Sequence, residues 1–557
     1  LWIYGIAFIL LGTLFATKWR RSQVLTDAEL TELRYSGSGV LGLRVAKALY
    51  YGTLINCVVL AMVLLAALRI GEVFMLWHEW LPEALYAWLL GFIEFTGLSF
   101  GEGAGGLSSE VMTLNHLLTV LSIMLFTVAY SATGGLRSVI STDLVQFGLA
   151  IFASALYAGF VLYELGGLGS LRESLVELYG QEGAGEFLSF RPQGGDLLLG
   201  FLVIISLQWL FQMNSDGTGY LAQRSMACRT DREARIAALV FCWAQIVLRS
   251  LIWLIIAVGI LVLYPFDPVV EKTDLWVSGR EALFIRGIDD LLPIGIRGLM
   301  LTGLLAALAS TIDTHLNWGA SYWSNDIYKR LVCEHFLKRD PKSRELVWVA
   351  RLSNFLLLII ALVVMANIGS IQQAWKISLL FGAGMGSVLV LRWLWERINL
   401  WSEFAAILAS LTLAPILLKF VSEEWLQLLW MAGASTTAAV VVTFFTPKTQ
   451  VSVLQEFYRK VQPSGFWRGT ANSLGESGAH PLRKLLSSLK TTALCIGSVF
   501  SVLMGCSKLM LPVPGEPIWL ALSLLAFGAG LTYFWWPKIF AEDDSGTVGK
   551  LSIRERR

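Results

Sequence analysis

Charge is what this chain has least of. Only 15% of its 557 residues are Asp, Glu, Lys or Arg, against about 25% in soluble domains, and 55% are hydrophobic. That composition excludes a soluble enzyme. An excess of basic charge is missing too: 43 Lys and Arg stand against 41 Asp and Glu, a net charge of +2. No cluster of the kind that grips a phosphate backbone follows from this balance, which excludes a nucleic-acid partner. Cysteine is sparse. Cys57, Cys228, Cys242, Cys333, Cys495 and Cys506 show no C-x-x-C spacing, so neither a zinc site nor a disulfide framework is indicated. The five histidines have no second His, Cys or acid at metal-ligand spacing within one element. His315 reads as a satisfied histidine inside a helix bundle. One G-x-G-x-x-G occurs at 101–106, but no strand precedes it, so no dinucleotide site and no organic cofactor is expected. The N-terminus lacks the charged region and cleavage site of a signal peptide.

Long apolar runs are abundant instead. About thirteen reach the roughly 20 residues that a helix needs to cross a bilayer: 1–17, 48–68, 114–134, 144–163, 197–213, 236–264, 299–319, 347–366, 377–395, 401–418, 425–445, 491–511 and 518–536. The stretch 77–100, with Glu79, Glu83 and Glu94, reads as an interfacial helix. Short basic loops stay in the cytoplasm. The first loop carries Lys18, Arg20, Arg21, Arg34, Arg44 and Lys47, whereas the next holds Arg69 against Glu72, Glu79, Glu83, Glu94, Glu102 and Glu110. The alternation continues with Arg224, Arg229, Arg232 and Arg235, with Lys329 to Arg344, with Arg392 and Arg397, and with the tail Arg554 to Arg557. The first span therefore runs from outside to inside, and a further helix is expected before Leu1. The polar stretch 446–490 is cytoplasmic. Its start either lies on the membrane as an amphipathic helix, with Val453, Leu454, Phe457, Tyr458 and Val461 on one side, or is a solvated linker.

Ionisable groups within spans cost at least ~2.5 kcal/mol and mark functional candidates. In the seventh span, Ser310, Asp313, Thr314 and Asn317 recur at i, i+3, i+4 and i+7, and Ala307 extends that face by a turn. The Ala307 carbonyl with the adjacent Ser310 and Thr311 hydroxyls supplies hard oxygen ligands, the type an alkali cation prefers. Small and hydroxyl residues also serve close helix packing, but packing alone does not call for Asp313. Arg249, mid-way along the sixth span with Gln245 one turn before it, needs an anion, and its fork suits a carboxylate. Either a solute or a protein acid such as Asp216 would serve. At the end of the fifth span the run from Gln208 to Tyr220 (QWLFQMNSDGTGY) passes from apolar helix into Asn214, Ser215, Asp216, Gly217, Thr218 and Gly219. It reads either as an interrupted helix of the kind that builds transporter sites or as a span that stops at Met213. Gly382, Gly384 and Gly386 in the ninth span read as close packing or a flexible point.

Several of these segments together carry a resemblance. The run 130–146 (YSATGGLRSVISTDLVQ) resembles the signature of the sodium:solute symporter family, which includes the sodium/proline and sodium/glucose cotransporters. Gln223 and Arg224, followed by Arg229, Glu233 and Ala234, resemble the family's cytoplasmic loop after helix 6. Ala307 to Thr311 (ALAST), with Asn325 to Arg330 (NDIYKR), resembles its helix 8. The segments 24–37 (VLTDAELTELRYSG) and 391–399 (LRWLWERIN) are similar to a proline-symporter-like bacterial branch.

Over residues 1–445 the resemblance implies an all-helical integral membrane protein with a LeuT-type core of inverted five-helix repeats. Spans one to nine would stand as family helices 2 to 10, with helix 1 lacking a counterpart. It implies a symporter core over 1–396, two additional transmembrane helices over 397–446, a cytoplasmic linker over 447–490, and a C-terminal hairpin with a basic tail over 491–557. The implied activity is sodium-coupled symport of a small organic solute by alternating access, in the inner (plasma) membrane. An amino acid such as proline or a carboxylate is the expected solute. The alternatives are a sugar-type solute and a transport-inactive sensor or scaffold on the same fold. The resemblance places sodium at the Ala307 carbonyl and the Ser310 and Thr311 hydroxyls, with Asp143 and Asp313 as a second cation site or a proton-titrating pair. Gln208, Asn214, Asp216, Gln245 and Arg249 are the expected solute contacts.

Overall fold

Inside a bilayer the backbone finds no water to bond with, and helix is the form that satisfies a single crossing segment from within. The computed structural model describes residues 2–97, 107–131, 135–192, 195–211, 213–267 and 273–540. Among these residues the only β pairing is an isolated bridge between Trp395 and Phe466. The motif at 101–106, part of the signature at 130–146, and the basic tail lie outside the described residues.

The helices in chain order are α1 (2–22), α2 (Leu30–Arg34), α3 (Val40–Phe74), α4 (Trp77–Trp80), α5 (Glu83–Thr96), α6 (Ser109–Ser131) and α7 (Gly135–Glu164). There follow α8 (Leu168–Leu188), α9 (Gly195–Phe211), α10 (Tyr220–Met226), α11 (Asp231–Leu263), α12 (Asp274–Leu291), α13 (Ile294–Phe336) and α14 (Ser343–Met365). The C-terminal part holds α15 (Ile371–Leu394), α16 (Leu400–Phe420), α17 (Glu424–Phe445), α18 (Val451–Val461), α19 (Arg468–Ser473), α20 (His480–Met510) and α21 (Ile518–Phe540). Among the described residues eleven helices are long and apolar enough to cross a membrane: α3, α6, α7, α11, α13 to α17, α20 and α21. The two other expected spans are helical as well, as α1 and the 17-residue α9. The acidic stretch after α3 forms α4 and α5, and at 14 residues α5 is too short to span. Helices α8 and α12 sit in segments that hydropathy leaves as loops. Their buried residues, such as Leu171 and Leu175 in α8, are too few to make an apolar run.

The chain divides into two units that alternate along the sequence. Unit 1 comprises Leu1–Arg44, Ser189–Ser250 and Leu379–Arg557; unit 2 comprises Val45–Leu188 and Leu251–Ser378. In unit 2, α13 packs along α7, α14 and α3. Small residues permit the close approach. A side chain on Gly52 would run into the Tyr322 ring, and one on Gly319 into the Leu357 side chain and the Asn56 amide. His315 is satisfied as the sequence reading expects: its Nδ1 is 2.7 Å from Asn56 Oδ1, while Asn56 Nδ2 donates to the His315 carbonyl at 2.9 Å.

In unit 1, α1 packs against α9, α10, α11 and α20, and α16 pairs with α17. The glycines of α15 do not break it. Ser435 Oγ donates to the Gly384 carbonyl, and a side chain on Gly384 would collide with Ser410 of α16. The two readings of 446–490, membrane-surface helix or solvated linker, both give way to a folded cap. Leu454, Phe457, Tyr458 and Val461 form one buried face of α18, and that face is covered by protein. Phe457 stacks on Trp467 with ring centroids 5.4 Å apart and meets Trp393 at 5.9 Å. The last hairpin also starts earlier than 491, because α20 opens at His480 with Pro481 in its first turn, a position where the missing N–H costs nothing.

Candidate functional sites

Within unit 2 the cation candidates of the seventh span lie on α13. Ser310 Oγ donates to the Asp143 carboxylate of α7, so two oxygens from separate helices meet there. Beside it on the same helix, Thr311 Oγ donates to the Ala307 carbonyl at 2.9 Å. Asp313 is buried, and its Oδ1 accepts from Asn317 Nδ2 at 2.7 Å along the same helix. Ser310 is thus the oxygen of this group that reaches α7, while the Thr311 and Ala307 oxygens bond each other along α13. Among the described residues no three His, Cys, Asp or Glu side chains come together as a metal site.

Within unit 1 the chain does break after α9. Met213–Asp216 forms a single tight turn, and Gly217 and Gly219 take φ values of 92° and 96°, which favour glycine, before α10 opens at Tyr220. A side chain on Gly217 would also meet Leu11 and Trp19. Ser215, Asp216 and Thr218 are fully buried. The backbones of Gln208 and Asn214 belong to α9 and to this turn, while their side chains lie outside the described residues.

Asp216 is not the counter-ion of Arg249. Its Oδ2 accepts from Arg392 Nη2 at 2.6 Å and from Trp393 Nε1 at 2.7 Å, while Oδ1 accepts from the Thr218 N–H at 2.9 Å and hydroxyl at 2.6 Å. Trp19 Nε1 donates to the Asp216 carbonyl. The turn supplies the carboxylate and α15 the cation, so a polar patch that reads as a solute site from sequence is filled by protein. Around it, Tyr35 donates to Glu403 at 2.6 Å, and Arg392 lies 3.9 Å from Glu403. Burial first, and then the Glu403 charge, hold the Tyr35 hydroxyl well above its ordinary pKa, so it stays a donor.

Arg249 meets a neutral partner instead. With the Gln245 amide oxygen turned toward it, that oxygen accepts from Nη1 at 3.0 Å and Nη2 at 2.8 Å. The widened turn Ala244–Leu248 immediately precedes it, a distortion often found at functional positions. Tyr4 and Tyr220 are its electrostatic neighbours. Among the described residues no carboxylate pairs with Arg249.

Sequence reasoning missed Arg392, Trp393, Glu403, Tyr35 and Arg34 as parts of the buried network, having used Arg392 and Arg34 to orient the chain and within the segments 391–399 and 24–37 that carry the resemblance. One signal was available for Arg392: it stands within the apolar run LVLRWLW.

This architecture, with its many membrane-length helices and the interrupted helix after α9, defines a multi-pass plasma-membrane protein of the transporter class. The sodium:solute symporter family profile matches residues 92–412, and the chain belongs to that family. It is 22% identical over 378 residues to a sodium/glucose cotransporter of Vibrio parahaemolyticus, across 65% of this chain and 67% of that protein. It is 29% identical over 287 residues to the sodium/proline symporter of Escherichia coli (strain K12), across 49% and 51%. It is 24% identical over 380 residues to the high-affinity proline transporter PutP of Bacillus subtilis (strain 168), across 66% and 74%. The chain thus spans between half and three quarters of the length of these relatives. A solved structure described as the substrate-bound outward-open state of a Na+-coupled sialic acid symporter shares the fold, with a TM-score of 0.57 at 14% identity over 81% of this chain and 84% of that one.

Proposed function

We propose that this chain carries out sodium-coupled symport of a small organic solute by alternating access. Sodium binds at the Ala307 carbonyl and the Ser310 and Thr311 hydroxyls. Asp143, reached by Ser310, contributes the anionic charge, and Asp313 extends the cation site by one turn. The meeting of Ser310 and Asp143 across two helices is the observation that carries this reading, because an ion held between two elements stabilises one arrangement of them over another, which is what coupling requires. The solute is an amino acid such as proline, or a carboxylate, with Arg249 as its anchor. Gln245 orients the fork while leaving its charge unneutralised.

The test is uptake of radiolabelled proline and of simple carboxylates into proteoliposomes under an imposed sodium gradient. Ser310→Ala with Thr311→Ala is expected to abolish the sodium-dependent component. Sodium dependence that survives both substitutions overturns the assignment. A protein that binds solute but moves none under any gradient is a sensor or scaffold on this fold.

A further inference from the structure

The cap at 446–479 and the break after α9 hold opposite sides of the same short stretch, residues 392–396 at the end of α15. From within, the Arg392 and Trp393 side chains grip Asp216 at 2.6 and 2.7 Å. From the cap side, Trp467 Nε1 donates to the Trp393 carbonyl at 2.8 Å, and the Phe466 N–H donates to the Leu394 carbonyl at 2.6 Å. Glu396 receives the Gly469 N–H at 2.9 Å, the Thr470 N–H at 2.8 Å and the Thr470 hydroxyl at 2.7 Å. Arg34 completes the clasp. Its guanidinium donates to the carbonyls of Arg392 at 2.9 Å and Trp395 at 3.0 Å, and lies over the rings of Trp467 at 4.8 Å and Phe457 at 5.4 Å. Arg21 ties the cap to the base of α11 as well, bonding Gln462 at 2.9 Å and Asp231 at 2.7 Å. Every one of these groups belongs to unit 1.

We infer that the cap is a cytoplasmic latch: while it is seated on residues 392–396 it holds the Asp216 turn closed, and its release is a step in opening the interrupted helix toward the cytoplasm. Two features support a latch over a plain brace. Around a buried centre of Phe457, Trp467 and Arg34, the cap's outer edge is held by the Gly469 and Thr470 bonds to Glu396, exposed or part-buried polar contacts of the kind that open locally at low cost. The held element carries side chains to the turn and carbonyls to the cap within five residues, so the two cannot move independently. This inference regulates the proposed symport and rests on that reading.

The experiment places a cysteine at the turn, Ser215→Cys, in full-length protein whose partly accessible Cys228 and Cys506 are replaced by Ser. The rate of labelling by a membrane-impermeant maleimide from the cytoplasmic side is then read. Two variants loosen the cap by different routes: Glu396→Gln with Thr470→Ala removes the rim bonds, and Trp467→Phe deletes the donation to Trp393 while keeping a ring. Trypsin cleavage after Arg468 reports whether the cap has lifted. Labelling of the introduced thiol at position 215 is expected to rise about tenfold in each variant whose Arg468 becomes cleavable. Unchanged labelling in a variant with a lifted cap overturns the latch, and so does a cap that stays protease-resistant in both. Because labelling needs no transport, faster labelling in protein that moves no solute leaves the latch standing and refutes the symport reading alone.

Discussion

Replacing Asp216 by Asn should be the most costly single-atom change in unit 1. The carboxylate is fully buried and accepts four hydrogen bonds, two on each oxygen. An amide keeps one acceptor and turns an NH2 toward either Arg392 and Trp393 or the two Thr218 donors. Two bonds are therefore lost whichever way it faces, and at about 1.5 to 3 kcal/mol for a bond to a charged group the direct loss is about 3 to 6 kcal/mol. Leaving one partner of a buried ion pair uncompensated costs about 3 to 5 kcal/mol by a separate route. Glu403, 3.9 Å from Arg392, absorbs part of this, so the expected destabilisation is about 3 kcal/mol. The measurement is equilibrium unfolding in mixed micelles followed by tryptophan fluorescence, run as a cycle with Arg392→Met and the double variant. Removing both partners together should recover about 2 kcal/mol relative to the sum of the single changes. A single change that costs under about 1 kcal/mol, or a cycle that is additive, would refute the argument that this pair closes the turn.

Three further outcomes can be checked. Arg249→Lys keeps the charge but loses the fork, so the KM for a carboxylate solute should rise about tenfold, ~1.4 kcal/mol, with little change for a solute without a carboxylate; equal shifts for both would argue against a carboxylate anchor. Asp143→Asn should raise the sodium concentration for half-maximal uptake about tenfold or more while the protein remains folded by its melting profile. Gly319→Val drives a branched side chain into Leu357 and Asn56 and should destabilise by about 1 to 3 kcal/mol, seen as a lower melting temperature in detergent, whereas a similar change at Gly91, which has open space around it, should be nearly silent.

The membrane spans were legible in the sequence because each depends on one local property, an apolar run long enough for a bilayer, and each of the thirteen segments is helical over its described residues except for a single end residue in four of them, Tyr264, Ala366, Trp395 and Leu511. The α13 face was legible for a related reason: 3.6-residue periodicity places Ser310, Asp313 and Asn317 together without knowledge of any neighbour. The hidden parts all depend on partners far along the chain. Asp216 and Arg392 are 176 positions apart, and the apolar run around Arg392 marks it for burial without naming the acid it meets. The cap was ambiguous for the same reason, since an amphipathic helix shows its apolar face without showing whether lipid, solvent or protein will cover it.

Composition and hydropathy therefore decide the class, which depends on how each segment meets its solvent, and the short motif runs decide the family. Which acid each arginine faces, whether the glycines of α15 bend it or pack it, and what lies over Phe457 were decided only when distant segments met. A buried charge or an apolar face states in sequence that it needs a partner, and only the folded chain says which one.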